Sequence, residues 1–264
     1  MKITVLCENT ASSQSLVCEH GLSLMIETDD QKILFDFGQT DAFFRNAQAL
    51  GISVCDVDFA VLSHGHYDHG GGMNTFFEHN HTAPVYLSRY AFGEYFNAQQ
   101  KYIGLDQSLQ RIDRMIPTDE CTIINKACSL FSCNMLHRPF KTNPFGLTEY
   151  TDKKHTDDRF MHEQYLLIRE NGKRVLISGC SHKGIENIVY WFQPDILIGG
   201  FHRMKVDCDT AAGQASLKTL AETLLRSDTL FYTCHCTGLP QYDVLKSHMN
   251  DRLRPLSTGD AIFL

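Results

Sequence analysis

The run His64-Gly65-His66-Tyr67-Asp68-His69-Gly70-Gly71-Gly72 follows directly on the apolar segment Val57 to Leu62. Four side chains able to hold a metal ion fall within six residues. A turn behind a strand aims His64 and His66 at one point and Asp68 and His69 at a neighbouring one. Neutral imidazole binds zinc, iron, manganese or nickel, and the carboxylate adds hard oxygen character and negative charge. The glycines permit the close backbone approach that such crowding needs. A chain carrying this run has to bring the end of a buried strand to the rim of a site.

The flanking segments supply such strands. Ile3 to Leu6, Leu22 to Glu27 and Lys32 to Phe37 read as strands, the last two joined by the turn Asp29-Asp30-Gln31. Asp41 to Leu50 has helical spacing and stops at Gly51. The order recurs later in the chain. A hairpin (Gln164 to Arg169, then Arg174 to Ser178) turns at Asn171-Gly172, and a helix spans Gly184 to Trp191. Strand Ile196 to Ile198 then ends on Gly199-Gly200-Phe201-His202. After a helix over Thr210 to Arg226, strand Leu230 to Thr233 ends on Cys234-His235-Cys236. Hairpin, helix, strand and histidine loop thus occur twice with different residues. This predicts an α/β fold of two sheets with helices outside and polar residues past the strand ends on one edge. The expected organisation is a single domain, 1–264, with 89–160 as an insertion or cap carrying Tyr90, Phe92, Tyr95, Phe96 and Tyr102.

The 264 residues carry a formal charge of −7, which weighs against a nucleic-acid partner, since that needs a basic face. The ten cysteines invite a disulfide reading. No secretory signal opens the sequence, and a chain this long buries a sufficient core without staples. No apolar run approaches a membrane span. The expectation is a cytoplasmic protein with reduced thiols and no membrane partner.

His-x-His-x-Asp-His behind a strand resembles the signature of the metallo-β-lactamase superfamily. The resemblance implies a four-layer αββα sandwich with a one- or two-metal site at the edge of its sheets. Asp36 matches the family's early aspartate, which is structural or supports a ligand. The resemblance assigns His64, His66 and His182 to one ion and Asp68, His69 and His235 to the other. Where the family has a bridging aspartate, this chain has Cys180, a thiolate ligand or a small buried residue. Cys234 and Cys236 are expected to point away from His235, as neighbours in an extended tripeptide do. The stretches Ser178 to Gly184, Gly199 to His202 and His235 to Gly238 resemble one branch of the superfamily. That branch includes the dihydropterin ribofuranosylaminobenzene-phosphate synthase and metal-dependent hydrolases. It implies a pocket position for His202 and a substrate or supporting role for Glu163, for which a purely structural role is equally open.

The expected cofactor is one or two divalent ions, zinc first, with iron, manganese or nickel as alternatives. The expected function is hydrolysis of a small anionic substrate, such as a phosphoester, by metal-activated water. Asp68 would orient or deprotonate the nucleophile, and His202 would protonate the leaving group. Two alternatives stand beside it: a synthase in which an aryl amine displaces pyrophosphate from a pterin-methyl diphosphate, and a non-catalytic metal-binding sensor.

Overall fold

The computed structural model describes residues 1–264. One seven-stranded sheet runs Ala261–Phe263, Lys2–Cys7, Ser23–Glu27, Lys32–Phe35, Phe59–Val61, Val85–Ser88, Met115–Thr118 in spatial order. The second runs Cys121–Ile123, Cys128–Phe131, Tyr165–Glu170, Lys173–Ile177, Ile196–Ile198, Leu230–Thr233, Leu253–Pro255. In each sheet three antiparallel pairings are followed by three parallel ones. The repeat expected from the order of elements is therefore present as matching sheet topology.

Alternation within apolar strands explains the layering. Ile33 and Phe35 share one core with Leu166, Ile177 and Ile198 of the other sheet, while Leu34 between them shares a core with residues of helices Ala42–Ala49 and Met73–His79. Ile196 and Ile198 likewise face inward, and Leu197 packs toward helices Ile185–Phe192, Ala211–Leu224 and Leu239–Met249. Such strands are apolar at every position because both faces are covered. Each fully buried Leu, Ile or Phe contributes about 1.5–3 kcal/mol of transfer free energy. The result is an αββα sandwich. No helix is long and apolar enough to cross a membrane.

Residues 89–160, expected as an insertion or cap, do not stay outside these layers. Met115–Thr118 extends the first sheet, and Cys121–Ile123 with Cys128–Phe131 extends the second. Only Tyr95–Phe96, Thr148–Thr151 and Lys154–Asp157 form a separate three-stranded sheet. The short strands at the sheet edges are half exposed and carry little of the apolar patterning that marks the central ones.

Candidate metal centre

The centre lies where the strand ends of both sheets meet. Phe59–Val61 leads into Ser63 and His64, and the fully buried Asp36 stands at the end of the neighbouring strand. The Asp36 carboxylate accepts from Ser63 N at 2.6 Å, Ser63 Oγ at 2.7 Å and His69 Nδ1 at 2.6 Å. It frames the motif. Gly65 is required here: a Cβ would lie 2.1 Å from the Ala91 carbonyl oxygen. Its N–H donates to His162 Nδ1 at 2.9 Å, and His162 Nε2 reaches Asp158 at 3.1 Å. Asp36, Ser181, His202 and His235 all hold positive φ, between 51° and 60°. Left-handed backbone at non-glycine residues costs of order 1–3 kcal/mol each and collects at functional sites.

Hydrogen bonds orient three of the imidazoles. Ser63 Oγ donates to Asp36, so its lone pair accepts from His64 Nδ1 at 2.8 Å. His69 Nδ1 donates to Asp36 and His235 Nδ1 to Asn9 Oδ1 at 2.8 Å. Each ring therefore turns its Nε2 inward as the nitrogen free to bind a metal. His64 Nε2 lies 3.2 Å from His182 Nε2, and His69 Nε2 lies 3.2 Å from both His235 Nε2 and Cys180 Sγ. Asp68 Oδ2 is 3.4 Å from His235 Nε2 and 3.7 Å from His69 Nε2. The donor atoms of His64, His66 and His182 lie within 4.8 Å of one another.

These donor sets fit a metal. Two nitrogens at tetrahedral zinc distance from one ion sit about 3.3 Å apart. His66 Nε2 and His182 Nδ1 are buried without any hydrogen-bond partner. Converging ring nitrogens and orphaned buried nitrogens are costly unless a cation sits among them. Burial, reinforced by the surrounding imidazoles, holds His64 and His182 well below the usual histidine range; burial likewise lowers His66 to about 3. All three are neutral, the form that binds metal. Burial opposes the Asp68 carboxylate, but His69 and His235 outweigh it and keep Asp68 ionised. Burial also lowers His69, yet the carboxylates of Asp36 and Asp68 lift it to about 9. A proton thus occupies the place that suits a cation.

The other anticipated residues divide. Glu163 is fully buried: it accepts from His182 N at 2.6 Å, Lys183 N at 3.0 Å and the Tyr165 hydroxyl at 2.6 Å. These bonds tie it to the loop that carries His182. His202 sits 4.2 Å from His182 between ring centroids, and both its ring nitrogens are buried and unpartnered. Beside it, Thr142, Asn143, Phe145 and Arg203 wall a small pocket. Thr142, Asn143, Phe145 and Arg203 also line a cleft of about 550 Å³ that includes Lys141. Within 89–160, Tyr95 is buried and its ring lies 3.9 Å from that of His162.

One expectation is overturned. Cys236 does not point away from His235: the donor atoms of Cys180, His235 and Cys236 lie within 4.8 Å of one another. His235–Thr237 forms a 3₁₀ turn with His235 at φ 51°, so the alternation of an extended strand does not apply. Cys234 does pack into the core between the sheets. Sequence reasoning also missed His20, whose Nε2 lies 3.4 Å from Asp68 Oδ2. Asn9 holds His235, and Phe160 stacks on His182 at 4.6 Å. No spacing in the chain links these residues to the motif.

Residues 16–125 match the metallo-beta-lactamase superfamily. An uncharacterized protein of Methanocaldococcus jannaschii is 28% identical over 245 residues, covering 89% of this chain and 90% of that one. From the same organism, the 7,8-dihydropterin-6-methyl-4-(beta-D-ribofuranosyl)-aminobenzene-5'-phosphate synthase is 24% identical over 290 residues, covering 99% and 96%. Among solved structures, Tm1679, a metal-dependent hydrolase of the beta-lactamase superfamily, superposes with a TM-score of 0.82 at 26% identity, over 100% of this chain and 99% of that one. With its sandwich, its histidine motif and these relatives, the chain is similar to the metallo-β-lactamase superfamily, whose family model matches residues 16–125.

Proposed function

We propose that this protein is a metal-dependent hydrolase acting on a small anionic substrate, a phosphoester first. One observation carries the reading: His64, His69 and His235 each tie Nδ1 to an oxygen and turn Nε2 inward, onto His182 or onto each other. A side-chain set built only for packing would not converge so many inward imidazole nitrogens in a buried site. His64, His66 and His182 hold one ion, and Asp68, His69 and His235, with Cys180 between the two groups, hold the other. Zinc suits this donor set. The bound ions would supply hydroxide at neutral pH and draw charge from the attacked oxygen.

The remaining steps belong to the chain. Asp68, ionised and slightly exposed, orients the attacking water and takes its proton. His202, with no hydrogen bond at either nitrogen, donates a proton to the leaving group. Lys141 draws an anion toward the adjoining cleft despite the overall negative charge, while Arg203 there is already paired with Glu186. A small metabolite is proposed over a nucleic acid, which needs a broad basic face.

The similarity to the synthase, along nearly the whole chain, favours a second reading, displacement of pyrophosphate by an aryl amine. Protein purified without added metal should contain at least one ion. Screening phosphomonoesters, phosphodiesters, lactones and a pterin diphosphate with and without an aryl amine separates the two readings. Turnover only when the amine is present selects transfer. Less than about half an equivalent of metal refutes the metal centre, and metal without turnover selects a sensor.

A further inference from the structure

We propose that Cys236 joins Cys180 and His235 as a ligand at the second metal position, making that pole of the centre thiolate-rich and selective for a thiophilic ion such as Zn²⁺ over Mn²⁺ or Mg²⁺. This rests on the metal-centre reading above and adds a sulfur ligand that sequence reasoning expects to point away from His235. Three observations support it. First, the donor atoms of Cys180, His235 and Cys236 lie within 4.8 Å of one another, and all three residues are buried. Second, Cys180 Sγ also lies 3.2 Å from His69 Nε2, so this sulfur group is continuous with the histidines of the motif.

Third, the surrounding loops are shaped around the Cys236 sulfur. His202 N–H donates to it at 3.3 Å, an interaction that strengthens when the acceptor is a thiolate. A Cβ on Gly200 would lie 2.4 Å from the sulfur, so any larger residue there displaces it. As a thiol, Cys236 turns its hydrogen to the Cys180 carbonyl at 3.4 Å. Ligation replaces that hydrogen with the ion and releases a proton to the buffer. Soft sulfur donors select zinc, whereas an oxygen-rich site suits manganese or magnesium. A bridging carboxylate replaced by two thiolates shifts the centre in that direction.

The test uses the full chain loaded with Co²⁺, whose thiolate complexes absorb in the near ultraviolet through sulfur-to-cobalt charge transfer. Wild type should show the band. Cys180→Ser and Cys236→Ser should each weaken it, and the double variant should lack it. Cys234→Ser, one residue before the ligand but packed between the sheets, should leave it unchanged. Preference for Zn²⁺ over Mn²⁺ should fall about tenfold or more in Cys236→Ser. A Cys236→Ser spectrum equal to that of wild type at equal cobalt content overturns the proposal. If wild type takes up no cobalt or zinc, the metal-centre reading falls with it. X-ray absorption of the zinc-loaded wild type checks the same point without a variant. Sulfur scattering at about 2.3 Å, at an amplitude equal to two sulfurs per protein, is expected; one sulfur or none refutes it.

Discussion

Replacing Asp36 by Asn removes one charge and exchanges one oxygen for NH₂ without changing shape. Its Oδ1 still accepts from Ser63 N, but Oδ2 now accepts from both Ser63 Oγ and His69 Nδ1. An NH₂ in that place donates where it accepted. His69 Nδ1 must then carry a lone pair, which moves its proton to Nε2. Ser63 Oγ must accept from the amide and donate to His64 Nδ1, which moves the His64 proton to Nε2 as well. The neutral, metal-binding form of each ring, which carried its hydrogen on Nδ1 and left Nε2 for the metal, then carries it on Nε2. Metal binding has to undo both tautomers and break the new hydrogen bonds, at a cost of about 2–4 kcal/mol. Metal affinity should therefore fall roughly 30- to 1,000-fold, in keeping with lost supporting partners of metal-ligating histidines. The metal-free fold exchanges three charge-assisted bonds for neutral ones, about 2–3 kcal/mol. Competition for zinc against a chromophoric chelator measures the first effect, and urea unfolding with chelator present measures the second. Zinc affinity within threefold of wild type, whatever the stability, refutes the tautomer argument.

Three further outcomes follow from the same geometry. In metal-free protein, His64, His66 and His182 have folded pKa values below that of free histidine, so the stability they permit is present above about pH 6.5 and is lost as pH falls toward about 3 for His66. His69 is raised to about 9, so its contribution is full below about pH 6.5 and is lost as pH rises through 9. Stability measured by urea unfolding in chelator should peak between these limits, and a steady rise from pH 6.5 down to 5 refutes the assignment. Gly65→Ala drives a Cβ against the Ala91 carbonyl and should destabilise by about 1–3 kcal/mol or more while lowering metal content; an unchanged melting temperature contradicts the close packing of the motif. His202→Ala should reduce turnover by about 10²- to 10⁴-fold at unchanged metal content; loss of metal instead would make His202 a ligand.

Much of the centre was readable from the chain because its geometry is local. His64, His66, Asp68 and His69 share one strand end and one turn, so spacing alone brings them together. The sandwich was readable because strand positions covered on both faces are apolar throughout, as in Ile33, Leu34 and Phe35 and in Ile196–Ile198. The partners of Glu163 and the direction of Cys236 were not readable. Glu163 was settled by which backbone N–H groups surround it, those of His182 and Lys183, nineteen and twenty residues away. Cys236 was settled by the turn at His235, whose left-handed backbone no residue preference predicts.

By itself, then, the sequence determined the fold class and the metal-binding motif, since both follow from local periodicity and covalent spacing. The tertiary structure alone decided which nitrogen of each histidine faces inward and which sulfurs reach the centre. Those choices depend on partners distant in the chain: Asp36 for His69, and Asn9 for His235 across 226 positions. Burial supplies the physical reason, because a lone pair or proton removed from water must take whichever partner the fold places beside it.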